Sequence, residues 1–184
     1  MSDNMQVRGT TGEPVDEADM FDWSDRQEGI KKLAELIKGI NIAMLTTIDE
    51  DGSLRSRPMG TQQVEFDGDL WFFTDDDSAK ANEIAREQQV NVTYADGGKA
   101  LYISVSGLGF IVHDRAKMEA LWSPVLKVWF EQGLDTPNIA LLRVVAEKAE
   151  YWDGGSKIAS ALNLVKSLVT GKRDEGNDHA KLEL

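Results

Sequence analysis

Arginines at 55 and 57 and a lysine at 80 stand out in an otherwise acidic chain because of the residues around them. The first segment is Arg55-Ser56-Arg57-Pro58-Met59; the second, Leu70-Trp71-Phe72-Phe73-Thr74, runs through Asp75-Asp76-Asp77 into Ser78-Ala79-Lys80. Side chains alternate faces along a strand, so Arg55, Arg57 and Met59 are expected to point the same way. The second segment reads as strand, turn and helix, with Ser78 at the N-cap. The Thr74 and Ser78 hydroxyls, the free N–H groups of the first helical turn and the Lys80 ammonium would converge on one anion, and a phosphate suits such a pocket. An isolated arginine pair reads better as a solvated strand face. The ordered company of Thr74, Ser78 and Lys80 favours the phosphate for Arg57 and Lys80. Arg55 stays open between that pocket, solvent and an acidic neighbour.

Other chemistry-bearing residues read more plainly. Three consecutive aspartates in a turn do not converge on one cation, so Asp75-Asp76-Asp77 is expected as a solvated turn beside a helix N-terminus, with no metal. His113 and His179 are too few and too far apart for a zinc site or a catalytic dyad. Gly107-x-Gly109 falls inside an expected strand and lacks the strand–turn–helix setting of a dinucleotide loop.

The elements that must position the phosphate pocket follow from pattern. Ser24 can cap a helix from Asp25 to Ile37 whose apolar stripe is Ile30, Leu33, Leu36 and Ile37. Asp51-Gly52, Asp67-Gly68 and Asp96-Gly97 each lie between strand-like segments and each predicts a hairpin turn. The strands are expected at Ile40–Ile48, Ser53–Phe66, Asp69–Thr74, Val90–Ala95 and Ala100–His113, with a helix over Ser78–Glu87. Asp114 can cap a helical segment through Leu121, and Pro124 opens a further turn toward Phe130. Asn138–Val145 and Lys148–Trp152 form the last strand region, and a terminal helix spans Ser156–Val169. These readings give a flexible acidic N-terminus over 1–22, one folded domain over 23–170 and a flexible charged tail over 171–184. Hairpin-rich strands with helices at the edges predict a mainly β fold with α additions, an antiparallel barrel of six strands with peripheral helices.

Whole-chain numbers exclude several function classes. The 184 residues, 41% hydrophobic, suffice for one sizeable core. A net charge of −12 argues against nucleic acid or an anionic membrane as partner. With no cysteine, disulfides and thiolate chemistry are impossible. Met1–Glu17 lacks the apolar core of a signal peptide, and no apolar run approaches a membrane span, so the expectation is a soluble cytoplasmic protein.

The run Phe72-Phe73-Thr74, three aspartates, Ser78-Ala79-Lys80 resembles the flavin-phosphate motif of the pyridoxamine 5′-phosphate oxidase-like split barrels, where aromatic-aromatic-Thr is followed by Ser-Arg-Lys. Arg57 falls at that family's phosphate-binding arginine, and Glu150-Tyr151-Trp152-Asp153-Gly154-Gly155 is similar to its Glu-Phe-Trp-Gln-Gly-Gly segment. The matches keep family order over residues 40–155. Ser56-Arg57-Pro58-Met59, Tyr102-Ile103-Ser104-Val105-Ser106-Gly107, and Trp122 with Trp129-Phe130 point to its general stress protein 26-like branch.

The resemblance implies a six-stranded split β-barrel that forms a homodimer with FMN, or FAD as a second candidate, at the subunit interface. By position, Arg57 and Lys80 would bind phosphate with Thr74 and Ser78 as hydroxyl partners. Phe73, Pro58 and Met59 would line the isoalloxazine, and Trp152 would pack near it from either subunit. Trp152 reads equally well as ordinary core or interface packing. Ala79 replaces the arginine of Ser-Arg-Lys, Gln62 stands near a ring-side lysine and Tyr102 near a glutamine. The Arg-Leu-His-x-Arg motif that holds the oxidases' substrate phosphate is absent; Ser156-Lys157-Ile158-Ala159-Ser160 stands there. Pyridoxamine phosphate oxidation is therefore not expected. The remaining readings are a flavin-dependent oxidoreductase acting on a small molecule, a stress protein that binds or sequesters flavin without turnover, and a structural dimer whose ancestral site is empty. No catalytic acid or base is identifiable.

Overall fold

Alternating burial along the strands sets the architecture. The computed structural model describes residues 23–62, 66–153 and 178–183; the acidic segment 1–22 and the helix expected at Ser156–Val169 lie outside the described residues. On β1 (Ile42–Ile48) Ala43, Leu45 and Thr47 turn inward and are buried, while Ile42 and Met44 face out. β2 (Leu54–Gly60), β3 (Asp69–Asp75), β4 (Gln89–Asp96), β5 (Leu101–Val112) and β6 (Ile139–Asp153) follow, with α2 (Ala79–Arg86) between β3 and β4. Every pairing is antiparallel and the order is β2-β1-β4-β5-β6-β3. The sheet curls so that its two outermost strands, β2 and β3, wall one cavity. The result is the expected mainly β split barrel with helical additions.

Two apolar clusters share β3 because its faces alternate. Leu70 and Phe72 point into the barrel with Leu45, Val92, Ile103, Val105 and Leu142, under α1 (Trp23–Ile37), whose Leu33 is fully buried. Phe73 points out, to Met118 and Leu121 of α3 (Arg115–Leu121) and to Leu126 and Phe130 around a 3-10 turn over Pro124–Val128. The Phe73 ring meets Trp122 edge-on at 5.5 Å. Asp114 caps α3 by accepting from the Lys117 amide, as its position predicts.

The register of β5 against β6 shifts at Ser106/Gly107. A Cβ on Gly107 would stand 2.1 Å from the Val145 carbonyl oxygen, so glycine alone lets the backbones approach. This is the structural role of the first glycine in Gly107-x-Gly109.

Four local expectations are corrected. α1 begins at Trp23, so Ser24 lies inside the helix and is not its cap. The strand expected over Ser53–Phe66 ends at Gly60, because the chain must cross from one edge of the curled sheet to the other before β3 starts. Asp67-Gly68 is therefore a turn without a hairpin: β2 pairs with β1 and β3 with β6. The two pieces expected at 138–145 and 148–152 are one strand, whose pairing with β5 shifts register between them. Beyond these corrections, residues 178–183 form β7 (Asp178–Glu183), which pairs with β6 through Lys148–Asp153.

Candidate functional site

The structure gathers most of the expected pocket around the junction of β2, β3 and α2. A cavity of about 240 Å³ is lined by Pro58, Met59 and Gly60 from β2, by Phe73, Thr74 and Asp75 from β3, and by Lys80 from α2. Leu126, Trp129 and Phe130 close its far side. Leu126 and Phe130 are anchored in the outer cluster, whereas Trp129 is 62% exposed.

Lys80 is the cation of this cavity. Burial pushes its ammonium below the ordinary lysine range; Asp75 opposes that shift, Arg57 adds to it and Glu83 opposes it. Among the described residues no carboxylate forms an ion pair with Lys80. A half-buried cation without a counter-ion is a place where an anion is welcome.

Arg57 sits close enough to repel Lys80, yet its guanidinium is already engaged. Nη2 donates to Glu83 Oε2 at 2.6 Å and Nη1 donates to Thr47 Oγ1, which in turn donates to Glu83. Arg55 shares the face of Arg57, as alternation predicts, and bonds both Asp49 at 3.0 Å and Glu83 at 3.3 Å. Glu83 is 2% exposed. Two arginines and a threonine offset its burial, so this corner is a built ion cluster before any ligand arrives. Neither Arg55 nor Arg57 lines the cavity itself; they stand behind it.

The hydroxyls are placed as expected but turned differently. Ser78 is at the N-cap of α2, but its Oγ donates to the Asp75 carbonyl at 2.6 Å and makes no capping bond. Thr74 Oγ1 lies 3.4 Å from Ser78 Oγ and also reaches the Asp75 carbonyl at 3.3 Å. No side chain caps the helix from Ser78, so the first-turn N–H groups of α2 keep no side-chain acceptor there.

Two carboxylates of the aspartate turn have protein partners. Asp76 Oδ2 bonds His113 Nε2 at 2.8 Å and Asp77 accepts from Asn138 at 3.1 Å, so these two carboxylates tie the turn to the start of β6 and the end of β5. Among the described residues no cluster of His, Asp or Glu could hold a metal ion. Trp152 does not join the cavity within its own chain. It pairs across from Tyr102 on the outward face of β5 and β6.

Glu83 and Thr47 are the site residues that sequence reasoning missed. A signal for each exists. Glu83 falls among the buried positions of α2 with Ala81 and Ile84, and Thr47 continues the inward-facing series of Ala43 and Leu45. A charged residue on the apolar side of a short amphipathic helix calls for a buried partner.

The chain and its fold have counterparts among known proteins. The model of a family described as pyridoxamine 5′-phosphate oxidase like matches residues 28–175. The chain is 26% identical over 180 residues to protein bli-3 of Neurospora crassa, covering 92% of this chain and 86% of that one. It is 24% identical over 144 residues to general stress protein 26 of Bacillus subtilis, covering 75% of this chain and 99% of that one. A crystal structure of a general stress FMN/FAD binding protein from Xanthomonas citri superposes with a TM-score of 0.61 at 32% identity, covering 71% of this chain and 92% of that one.

Proposed function

Because the chain belongs to the pyridoxamine 5′-phosphate oxidase-like family, we propose that its cavity binds a flavin, with FMN as the preferred form. The observation that carries this reading is Lys80: a half-buried ammonium without a carboxylate partner among the described residues, beside uncapped helix amides and an apolar, aromatic wall. That set offers a phosphate its cation and N–H donors, and a ring system its walls. Lys80 and the α2 amides hold the phosphate; Arg57, fixed by Glu83, adds positive potential from behind. Met59, Pro58 and Phe73 line the near side of the ring and Trp129 faces it from the far side. Bound flavin supplies hydride and electron transfer, and the protein positions it.

The cavity's about 240 Å³ is too small to enclose a ligand of this size. In this reading a second copy of the chain completes it. The outward face of β1, β2 and β5 supports that role: Ile42, Met44, Leu54 and Tyr102 are exposed there. Trp152 lies on the same face, where it would reach the flavin of the partner rather than its own. Arg55 holds Arg57's neighbour Glu83 and does not touch the ligand.

The purified protein is expected to be yellow, or to take up FMN with about one flavin per chain and to sediment as a dimer. A colourless protein that shows no saturable FMN binding would overturn the reading. Oxidoreductase activity is the first function, and flavin binding without turnover the alternative. Steady-state reduction of the bound flavin by NADH or NADPH favours the first; a flavin that neither donor reduces favours the second.

A further inference from the structure

Glu83 governs how much of the corner's positive charge reaches a ligand. Its buried carboxylate accepts from Arg57 Nη2 at 2.6 Å, from Arg55 Nη1 at 3.3 Å and from the Thr47 hydroxyl. Both terminal nitrogens of Arg57 are therefore engaged, one by Glu83 and one by Thr47. Arg55 also bonds Asp49, and Arg86 pairs with Asp49 and Glu50. Turning Arg57 toward a ligand would strip a buried carboxylate of its nearest cation, and opening a buried pair in that way is strongly unfavourable. Lys80 is the cation left to meet a ligand. It lines the cavity together with Asp75, and among the described residues it forms no ion pair. The residue before it in the first turn of α2, Ala79, carries no charge. Arg55, Arg57, Arg86 and Lys80 thus stand against Asp49, Glu50, Asp75 and Glu83, so the corner is close to electrical balance before anything binds.

We propose that Glu83 is a specificity-determining residue: by holding Arg57 back it matches the corner to a phosphate with one negative charge, so that a flavin phosphodiester is held nearly as well as the monoester. The inference rests on the flavin reading and adds to it the charge state that the corner selects. A phosphate monoester carries roughly 1.5 to 2 negative charges at pH 7, whereas a diester carries a single one. Lys80 and the α2 amides answer the first charge. The second has no open cation to meet it, and the Asp75 and Glu83 carboxylates both oppose it. The extra charge of FMN therefore adds little affinity here, and the margin between FMN and a flavin esterified at its phosphate, as in FAD, is narrow. A purely structural Glu83 would affect every flavin alike, because the ring walls and the phosphate corner would loosen together.

The test titrates the full chain near neutral pH with three ligands: FMN, the methyl ester of its phosphate, and riboflavin. Flavin fluorescence reads the binding. In the native chain FMN and the methyl ester should differ by less than about tenfold, and both should bind more tightly than riboflavin. Glu83→Gln keeps the side chain's shape and a hydrogen-bonding group, removes the charge and frees Arg57. It should tighten FMN about tenfold and the ester about threefold, because a dianion gains the square of what a monoanion gains from one added positive potential. Riboflavin should not change. Adding Arg57→Gln to Glu83→Gln should cancel both gains. The proposal is overturned if Glu83→Gln fails to tighten FMN relative to riboflavin, or if it tightens FMN and the ester equally. A native preference for FMN over its ester above about tenfold overturns it as well, and that measurement decides the matter should Glu83→Gln not fold. If none of the three ligands binds the native chain, the flavin reading itself fails and the proposal falls with it, a result distinct from flavins that bind without the expected ranking.

Discussion

The cavity at the phosphate corner and a larger one of about 490 Å³ beneath α1, on the other face of β3, have unlike walls. At the first, Lys80 has no carboxylate partner among the described residues, while its neighbours Arg55 and Arg57 are neutralised by Glu83 and Asp49. At the second, the walls are mostly apolar and aromatic, from Ile37, Ile40, Phe66, Leu70, Phe72 and Tyr94. The difference teaches that one strand can back a charged corner on one face and an apolar space on the other. A charged ligand needs a cation held ready in a desolvated place, which the fold sustains by surrounding it with a buried ion cluster.

The sharpest way to break the comparison is to remove the ion cluster. Glu83→Ala leaves two arginines without their buried partner and should cost about 3–5 kcal/mol in denaturant unfolding, whereas Glu83→Gln, which keeps a hydrogen-bonding group, should cost clearly less. Equal effects would mean that the cluster is not a stability element. Next is Lys80→Glu. Loss of a charge-assisted contact plus repulsion should weaken FMN about a hundredfold and leave riboflavin, which has no phosphate, little changed. A parallel loss for both ligands would move the phosphate elsewhere. Trp129→Ala should loosen FMN and riboflavin alike, by about fivefold, because the indole faces the ring and not the phosphate. Dissociation of the dimer without any change in flavin affinity would instead place Trp129 at a subunit contact.

The smallest effect is pH. Lys80 is lowered from its ordinary value of 10.5, chiefly by burial. Phosphate binds the protonated form, so FMN affinity is fully present below the lowered value. It declines as pH rises through it, before an ordinary lysine would titrate. Stability of the unliganded fold runs the other way. The unfolded chain holds the proton more tightly, so folding gains between the lowered value and 10.5. Riboflavin affinity should stay flat over the same window, and a fall for both flavins would point to general unfolding.

Local pattern made much of this legible. Alternation placed Arg55, Arg57 and Met59 on one face and divided Phe72 from Phe73 between two clusters, and the Asp114 cap and the helix after Ser78 follow from residue chemistry. What escaped depends on contacts distant in sequence. Glu83 captures Arg57 from 26 residues away, which makes Arg57 a supporting charge rather than an open hand. Ser78 looks like a cap, but the Asp75 carbonyl outcompetes its own helix for the hydroxyl. Asp67-Gly68 has the sequence of a hairpin and serves as a crossing, because β3 finds its partner in β6. The cavity beneath α1 has no linear motif, because its walls come from α1, β3 and β4 together.

That pairing of β3 with β6 also fixes an order of events during synthesis. Arg143 on β6 bonds Asp69 on β3 across a separation of 74 residues, and such distant closures come late and slowly in folding. As the chain leaves the ribosome from its N-terminus, β3 and α2 emerge well before the strand that holds β3 in place. A nascent chain halted before Ile139 therefore carries every side chain of the phosphate corner without the corner itself. Any ligand of that corner can act only on the finished barrel, stabilising it after folding rather than guiding it.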